Sequence, residues 1–159
     1  MPRHDSRGTG REDCEGEMAS YDQSNVFAKI LRGELPCHKV YEDERAFAFL
    51  DIMPRCPGHT LVIPKAPARN IYDIASADLA HVHTVAQMVA KAATQVFGAD
   101  GITIQQFNEP AGGQVVFHLH VHVLPRKDGV PLKPAATFKE DAGVLAEQAT
   151  RLAAALAAR

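Results

Sequence analysis

The sequence predicts an α+β domain: a largely antiparallel five-stranded sheet, one long helix, one short N-terminal helix and a C-terminal helix. Three observations predict it. Residues 114–125 (Gln-Val-Val-Phe-His-Leu-His-Val-His-Val-Leu-Pro) alternate with the two-residue period of a strand. Residues 73–97 repeat apolar side chains at three-to-four spacing, the period of a helix face. Residues 40–51 read as two short apolar runs around Asp43-Glu44, a hairpin.

The elements follow in order. Residues 1–23 are rich in Arg, Asp, Glu, Gly and Ser and read as a disordered tail, with Met18 an alternative start. His4 and Cys14 in that tail carry no functional expectation. The main domain is expected over residues 24–126. Ser24 or Asn25 caps a short helix that runs to about Arg32 and stops at Gly33. Strands are expected over Val40–Glu42, Ala46–Asp51 and Gly58–Pro64. The long helix spans Asp73–Phe97, with Leu79, Val82, Ala86, Ala93 and their neighbours facing the core, and Gly98 ends it. His81 and His83, two apart on that helix, face different ways and are expected to be solvated. Ile102–Phe107 is the strand before the loop at Asn108–Gln114, and the His-rich strand follows. Residues 127–159 form a C-terminal extension, Pro-rich at first. A helix is expected at 140–158, with Leu145, Ala149, Leu152 and Leu156 on one face.

Composition narrows the function. At 159 residues the chain has the length of one domain and can bury a proper core. A formal charge of −2 argues against a general nucleic-acid binder. Cys14, Cys37 and Cys56 form an odd set without C-x-x-C spacing, which fits a reducing compartment. No apolar run approaches a membrane span, and the N-terminus lacks the apolar core of a signal peptide. The expected location is cytoplasmic, without a membrane partner.

The three imidazoles carry the chemistry. On a strand, His118, His120 and His122 share one face, and Phe117, Leu119, Val121 and Val123 share the other. Thr, Ser, Lys or Glu would fill a merely solvated face more readily than three His. A metal site is poorly served, because ligand nitrogens must crowd within about 2.0–2.1 Å of the ion. The outer two residues of such a ladder lie about 13 Å apart along the backbone. One central His acting with a helper on each side suits the spacing better. The adjacent Gly112-Gly113 pair lets backbone N–H groups gather into an anion nest, which suggests phosphate chemistry. An ordinary tight hairpin loop is the plainer account of that pair alone.

The segment Gly113-Gln114-x-Val116-x-His118-x-His120-x-His122-x-Leu124-Pro125-Arg126 resembles the signature of the histidine triad (HIT) family. The blocks Phe27–Pro36, Val40–Asp43, Phe49–Ile52 and Gly58–Lys65 resemble that family in order and spacing, closest to its Hint-type branch of purine nucleotide-binding phosphoramidases. The resemblance runs from about Asn25 to Arg126. It implies a HIT-like fold and a purine nucleotide substrate of the AMP or GMP kind. It also implies a homodimer and no cofactor. His120 becomes the nucleophile on the α-phosphorus, giving a nucleotidyl-histidine that water hydrolyses. His122 meets phosphate oxygens and the leaving group, with His118 and His59 orienting from behind. Asp51 accepts the ribose hydroxyls. Val26, Phe27, Ile30 and Ile52 belong to the nucleotide pocket, with the first three walling the base. Asn108, Gly113, Gln114, Val115 and Val116 lie around phosphate and ribose. Protonated His and N–H groups are expected to supply the positive field without a metal.

Two departures stand out. Many family members carry Ser or Thr where this chain has Val115, so a hydroxyl contact is absent. Some bacterial members hold a structural zinc through an N-terminal C-x-x-C. The matching positions here are Asn25 and Ala28, and Pro67 stands where a further His often lies, so no zinc is expected. Three readings compete: hydrolysis of nucleoside phosphoramidates or aminoacyl adenylates, dinucleoside polyphosphate hydrolysis, and a non-enzymatic nucleotide-binding scaffold.

Overall fold

The computed structural model describes residues 20–159. His4, Cys14 and the expected tail up to residue 19 lie outside the described residues. The elements are α1 (Val26–Leu31), β1 (Lys39–Glu42), β2 (Ala46–Leu50), β3 (Thr60–Pro64), α2 (Ser76–Phe97), β4 (Gly101–Gln105), β5 (Val121–Arg126) and α3 (Ala142–Ala157). The five strands form one sheet in the order β1-β2-β3-β5-β4. Every neighbouring pair is antiparallel, as expected.

Alternation along the strands divides the sheet into two unlike faces. Ala46, Ala48 and Leu50 of β2, Val62 of β3, and Val121 and Val123 of β5 join one buried cluster. The stripe Val82, Val85, Ala86, Val89, Ala92 and Ala93 of α2 closes that face. Leu145, Ala149, Leu152 and Leu156 of α3 complete it, so the C-terminal helix packs on its own chain, against α2 and β1. Phe47, Phe49, Leu61 and Ile63 point the other way and pack with Phe27 of α1. Since Val121 and Val123 face the helices, His122 faces the α1 side, directly across from Leu61.

Local chemistry sets the ends of the elements. Asn25 caps α1 by accepting from the Ala28 N–H at 2.9 Å. Asp141 caps α3 by accepting from the Gly143 and Val144 N–H groups. Gly58 turns the chain into β3 at φ +82°, and a Cβ there would lie 2.5 Å from the Phe97 ring. Only glycine fits both the backbone angle and the space.

Several expectations need correction. The long helix begins at Ser76, not Asp73. The Asp73 carboxylate takes the Arg69 and Asn70 N–H groups at 3.0 Å each and closes a separate turn. Tyr21, Asp22 and Gln23, expected in the tail, are tied to the fold. The Asp22 carbonyl accepts from Asn25, and the Gln23 carbonyl accepts from Arg32. His81 is not simply solvated, because its Nε2 lies 2.7 Å from the Asp43 carboxylate. His83 is exposed. The strand expected from Gln114 begins only at Val121. Among the described residues no helix is long and apolar enough to cross a membrane.

Leu152 is fully buried between α3 and the sheet. Leu152→Ala should cost about 2–5 kcal/mol of unfolding free energy in urea denaturation. A loss under about 0.5 kcal/mol, typical of surface changes, would show that α3 is no part of the core.

Candidate active site

The α1 face of the sheet carries an open cavity of about 450 Å³. Its walls come from α1 (Val26, Phe27, Ile30), the loop after β2 (Asp51, Ile52, Met53, Arg55, His59), the loop before β5 (Gly113, Val115, Val116) and the imidazoles of His120 and His122. The sheet floors it with Phe49 and Leu61, and Ala135 and Ala136 reach in from beyond β5. The volume falls within the range of small-molecule sites.

The three triad rings do not stand on one strand face. Only His122 belongs to β5, while His118 and His120 lie in the irregular approach to it. Upstream of Val121 the chain is held by side chains and single backbone bonds. The Leu119 N–H donates to Ala68 O at 2.9 Å, and His118 Nε2 lies 2.8 Å from Pro64 O. His118 is turned inward and is fully buried, away from the cavity. The shared face is therefore replaced by two rings in the cavity, His120 and His122, and one behind them. Their centroids lie 5.0 Å apart.

Backbone groups fix where the protons sit. A carbonyl can only accept and a peptide N–H can only donate. His120 Nδ1 lies 2.7 Å from the His118 carbonyl, so Nδ1 carries the proton. Its Nε2 is left with a lone pair. On the other side, the Arg55 N–H donates to His59 Nδ1 at 3.1 Å, so the His59 proton is on Nε2. That Nε2 donates to His122 Nδ1 at 2.9 Å, which leaves His122 with its proton on Nε2. The two cavity rings thus hold opposite tautomers. His118 is likewise resolved: Pro64 O takes its Nε2–H, and the Tyr21 hydroxyl, 2.6 Å away, donates to Nδ1.

All four rings are neutral in the free site, contrary to the expected imidazolium field. Burial pushes His59 and His118 down to about 4 and His122 down to about 3, the latter helped by neighbouring His120, His59 and Arg55. Burial also lowers His120, against the bond to the His118 carbonyl. The permanent positive charge on the cavity wall is Arg55, whose Nε is anchored on Lys133 O at 2.7 Å. Asp51 is raised by burial, opposed by the Met53 N–H that it accepts at 2.8 Å. Its other oxygen lies 3.7 Å from His59 Nε2.

The loop before β5 is built differently from the expected nest. The N–H groups of Gly112, Gly113 and Gln114 are taken by Glu109 and Pro110 carbonyls. Those of Val115 and Val116, on the cavity wall, donate to no described residue. Glu109 sits at φ +63°, ψ 162°, a region usually left to glycine, and Gly113 at φ +94°. The loop is held in this strained shape from behind. Glu109 pairs with Arg69 at 2.7 Å and with Asn70. Gln114 is 4 % exposed and spends its amide on Glu109 N–H, Asn70, Arg69 O and Val116 O. Asn108 Oδ1 accepts from the Ile71 N–H and from Gln106. Gln114 and Asn108, expected beside the nucleotide, therefore support the loop and do not line the cavity. Val115 is 83 % exposed at the mouth.

Asp51, His59 and His122 form the one metal-capable cluster among the described residues, with ligand atoms within 4.8 Å of one another. A metal on His59 Nε2 would require its proton to move to Nδ1, against the Arg55 N–H. The cluster is thus set up for proton positioning and does not fit a metal. Asn25 and Ala28, where the sequence reading looked for a C-x-x-C pair, serve the α1 cap instead.

Tyr21, Arg55, Arg69, Asn70 and Glu109 escaped the sequence reading. Arg69 covers the Phe117 ring at 4.1 Å. Tyr21, Arg69, Asn70 and Glu109 act through contacts 39 to 97 residues away along the chain, and Arg55 through a backbone N–H that any non-Pro residue carries, so none leaves a local pattern.

A protein-family model described as the HIT domain matches residues 32–129. The adenylylsulfatase HINT3 of Arabidopsis thaliana is 31% identical over 140 residues, covering 88% of this chain and 71% of that protein. A crystal structure of a Hit-like protein involved in cell-cycle regulation from Bartonella henselae superposes with a TM-score of 0.83 at 47% identity, covering 86% of this chain and 99% of the other. A hypothetical histidine triad nucleotide-binding protein from Sulfolobus tokodaii gives 0.75 at 30% identity, covering 83% and 91%.

The depressed rings make stability depend on pH. An unfolded chain protonates these His near 6.5. The folded chain keeps His59 and His118 neutral down to about 4 and His122 to about 3. The unfolded state then binds more protons as pH falls, so stability is complete above about pH 7 and is lost from about 6.5 downward. Urea midpoints at pH 7.5 and pH 5.0 should differ clearly, the acid value being lower. Equal midpoints would mean that the rings are not buried neutral.

Proposed function

The chain belongs to the histidine triad family, and from that premise we propose that it is a nucleotide hydrolase, cleaving purine nucleoside phosphoramidates or related nucleotidyl substrates at the α-phosphorus. The observation that carries this reading is the pair of opposite tautomers facing one cavity: a bare Nε2 on His120 and an Nε2–H on His122. A nucleophile and a hydrogen-bond donor are what displacement at phosphorus needs.

In this mechanism Val26, Phe27, Ile30 and Ile52 take the base, and the ionised Asp51 accepts the ribose hydroxyls. The Arg55 charge and the N–H groups of Val115 and Val116 receive the phosphate oxygens. His120 Nε2 attacks phosphorus. A new N–P bond forms as the bond to the leaving group breaks. Water then attacks the nucleotidyl-histidine, its proton leaves to solvent, and the nucleoside monophosphate departs while His120 recovers its lone pair.

The leaving group decides the proton balance. Sulfate, acyl or phosphate groups depart as anions and need only the His122 Nε2–H bond. An amine must take a proton, and a phosphate anion beside the rings offsets their burial so that the complex binds one from solvent. The adenylylsulfatase relative supports an anionic leaving group as a second reading. Dinucleoside polyphosphates belong to the same chemical class. The unpaired edge of β4, with Ile104 exposed, supports a homodimer closed at that edge.

Quenched mass spectrometry with an adenosine phosphoramidate, adenylyl sulfate and a diadenosine polyphosphate tests the reading. An adenylyl group should appear on the peptide spanning Gln114–Arg126, and His120→Ala should remove both adduct and turnover while still binding AMP. His122→Asn should lower kcat by about 10²–10⁴-fold. Nucleotide binding by the wild type without turnover of any of the three would leave a scaffold protein instead.

A further inference from the structure

The N-terminal hook ahead of α1 touches the triad from behind. Tyr21 lies outside residues 32–129, the stretch matched by the family model, and 97 residues from its partner. Its hydroxyl is 2.6 Å from His118 Nδ1, and its ring meets His118 edge to face at 5.5 Å. The hook is itself held. Asp22 accepts from the backbone and hydroxyl of Ser24, its carbonyl accepts from Asn25, and Arg32 Nη1 donates to Gln23 O. Two residues past the Asn25 cap, Phe27 lies edge-on to the His120 ring at 4.9 Å. One segment thus braces two triad residues at once.

We propose that Tyr21 is a positioning residue for the His120 nucleophile, acting through His118. His118 is buried away from the cavity, so its two ring nitrogens need partners of opposite kind. Pro64 O accepts from Nε2, and the Tyr21 hydroxyl supplies the donor for Nδ1. With both satisfied, the ring has one tautomer and one orientation. The peptide that follows is fixed at Leu119 N–H by Ala68 O, and the His118 carbonyl stays aimed at His120 Nδ1. Without the hydroxyl, the buried Nδ1 lacks a donor. Pro64 O still holds the Nε2–H tautomer, but the ring is then anchored at one nitrogen only, so its orientation loosens, and with it the His118 carbonyl that orients His120. Tyr21 does not line the cavity, so substrate binding is not directly involved.

This proposal rests on His120 being the nucleophile, and its test separates the two. Tyr21→Phe is compared with wild type and with Leu152→Ala, a destabilised control, each as the full chain. Ring-nitrogen NMR of the substrate-free protein should show His118 as the Nε2–H tautomer throughout, with Nδ1 hydrogen-bonded in wild type and Leu152→Ala, and in Tyr21→Phe with Nδ1 shifted toward an unbonded nitrogen and the His118 and His120 rings exchange-broadened. The kcat of Tyr21→Phe should fall about tenfold, the scale of one lost hydrogen bond, with KM unchanged within about twofold. Leu152→Ala should keep the wild-type kcat. In wild type the Tyr21 hydroxyl proton should be protected from solvent exchange, a reading available even if Tyr21→Phe does not fold. An unchanged His118 Nδ1 resonance with equally sharp His118 and His120 rings in Tyr21→Phe overturns the proposal. So does a rise in KM with kcat constant, a fall in kcat in the control equal to that of Tyr21→Phe, or a freely exchanging hydroxyl. Absence of turnover in wild type would remove the proposed function, while the NMR comparison would still decide whether Tyr21 sets His118.

Discussion

Two peptide groups set the chemistry of this site: the His118 carbonyl under His120 and the Arg55 N–H behind His59. Neither can change its hydrogen-bonding role. One forces a proton onto His120 Nδ1. The other, relayed through His59, forces a proton onto His122 Nε2. Neighbouring imidazoles that differ little as residues are thereby made chemically opposite. Burial reinforces the arrangement by keeping every ring neutral, so that neither nitrogen pattern is scrambled by protonation.

The fold exists to hold those two peptides in register. Antiparallel pairing of β3 with β5 sets His122 across from Leu61, and the loop leading into β3 carries Arg55 and His59 to the same end. The sheet divides its labour. The face under α2 and α3 is a sealed aliphatic core, and stability resides there. The α1 face keeps a smaller aromatic cluster and leaves the rest open as a cavity. The strained Glu109 backbone is tolerated because Arg69, Asn70 and Gln114 over-determine the loop from behind.

The sheet, its hairpin and the long helix were legible because two-residue and three-to-four-residue periods record burial directly. The same periodicity misread residues 114–120. Phe117 and Leu119 alternate with His as a strand would, yet His118 spends its ring on Pro64 O and Tyr21 instead of facing the cavity. Gln114 and Asn108 have the right chemistry to touch a nucleotide, but their amides are consumed by the loop. The Gly pair suggested an anion nest, and the Glu109 and Pro110 carbonyls close it. Arg55 and Tyr21 sat in stretches with no period at all. Tyr21 reaches His118 across 97 residues, and Arg55 acts on His59 through a backbone N–H that any non-Pro residue carries, so a single sequence marks neither.

The most direct measurement of the opposite-tautomer arrangement is long-range ¹H–¹⁵N correlation of the histidine rings in the free, full-length chain at pH 7.5. His120 should show a protonated Nδ1 with a bare Nε2, and His122 a bare Nδ1 with a protonated Nε2. Finding the same tautomer on both rings, or an imidazolium at either, would contradict the account.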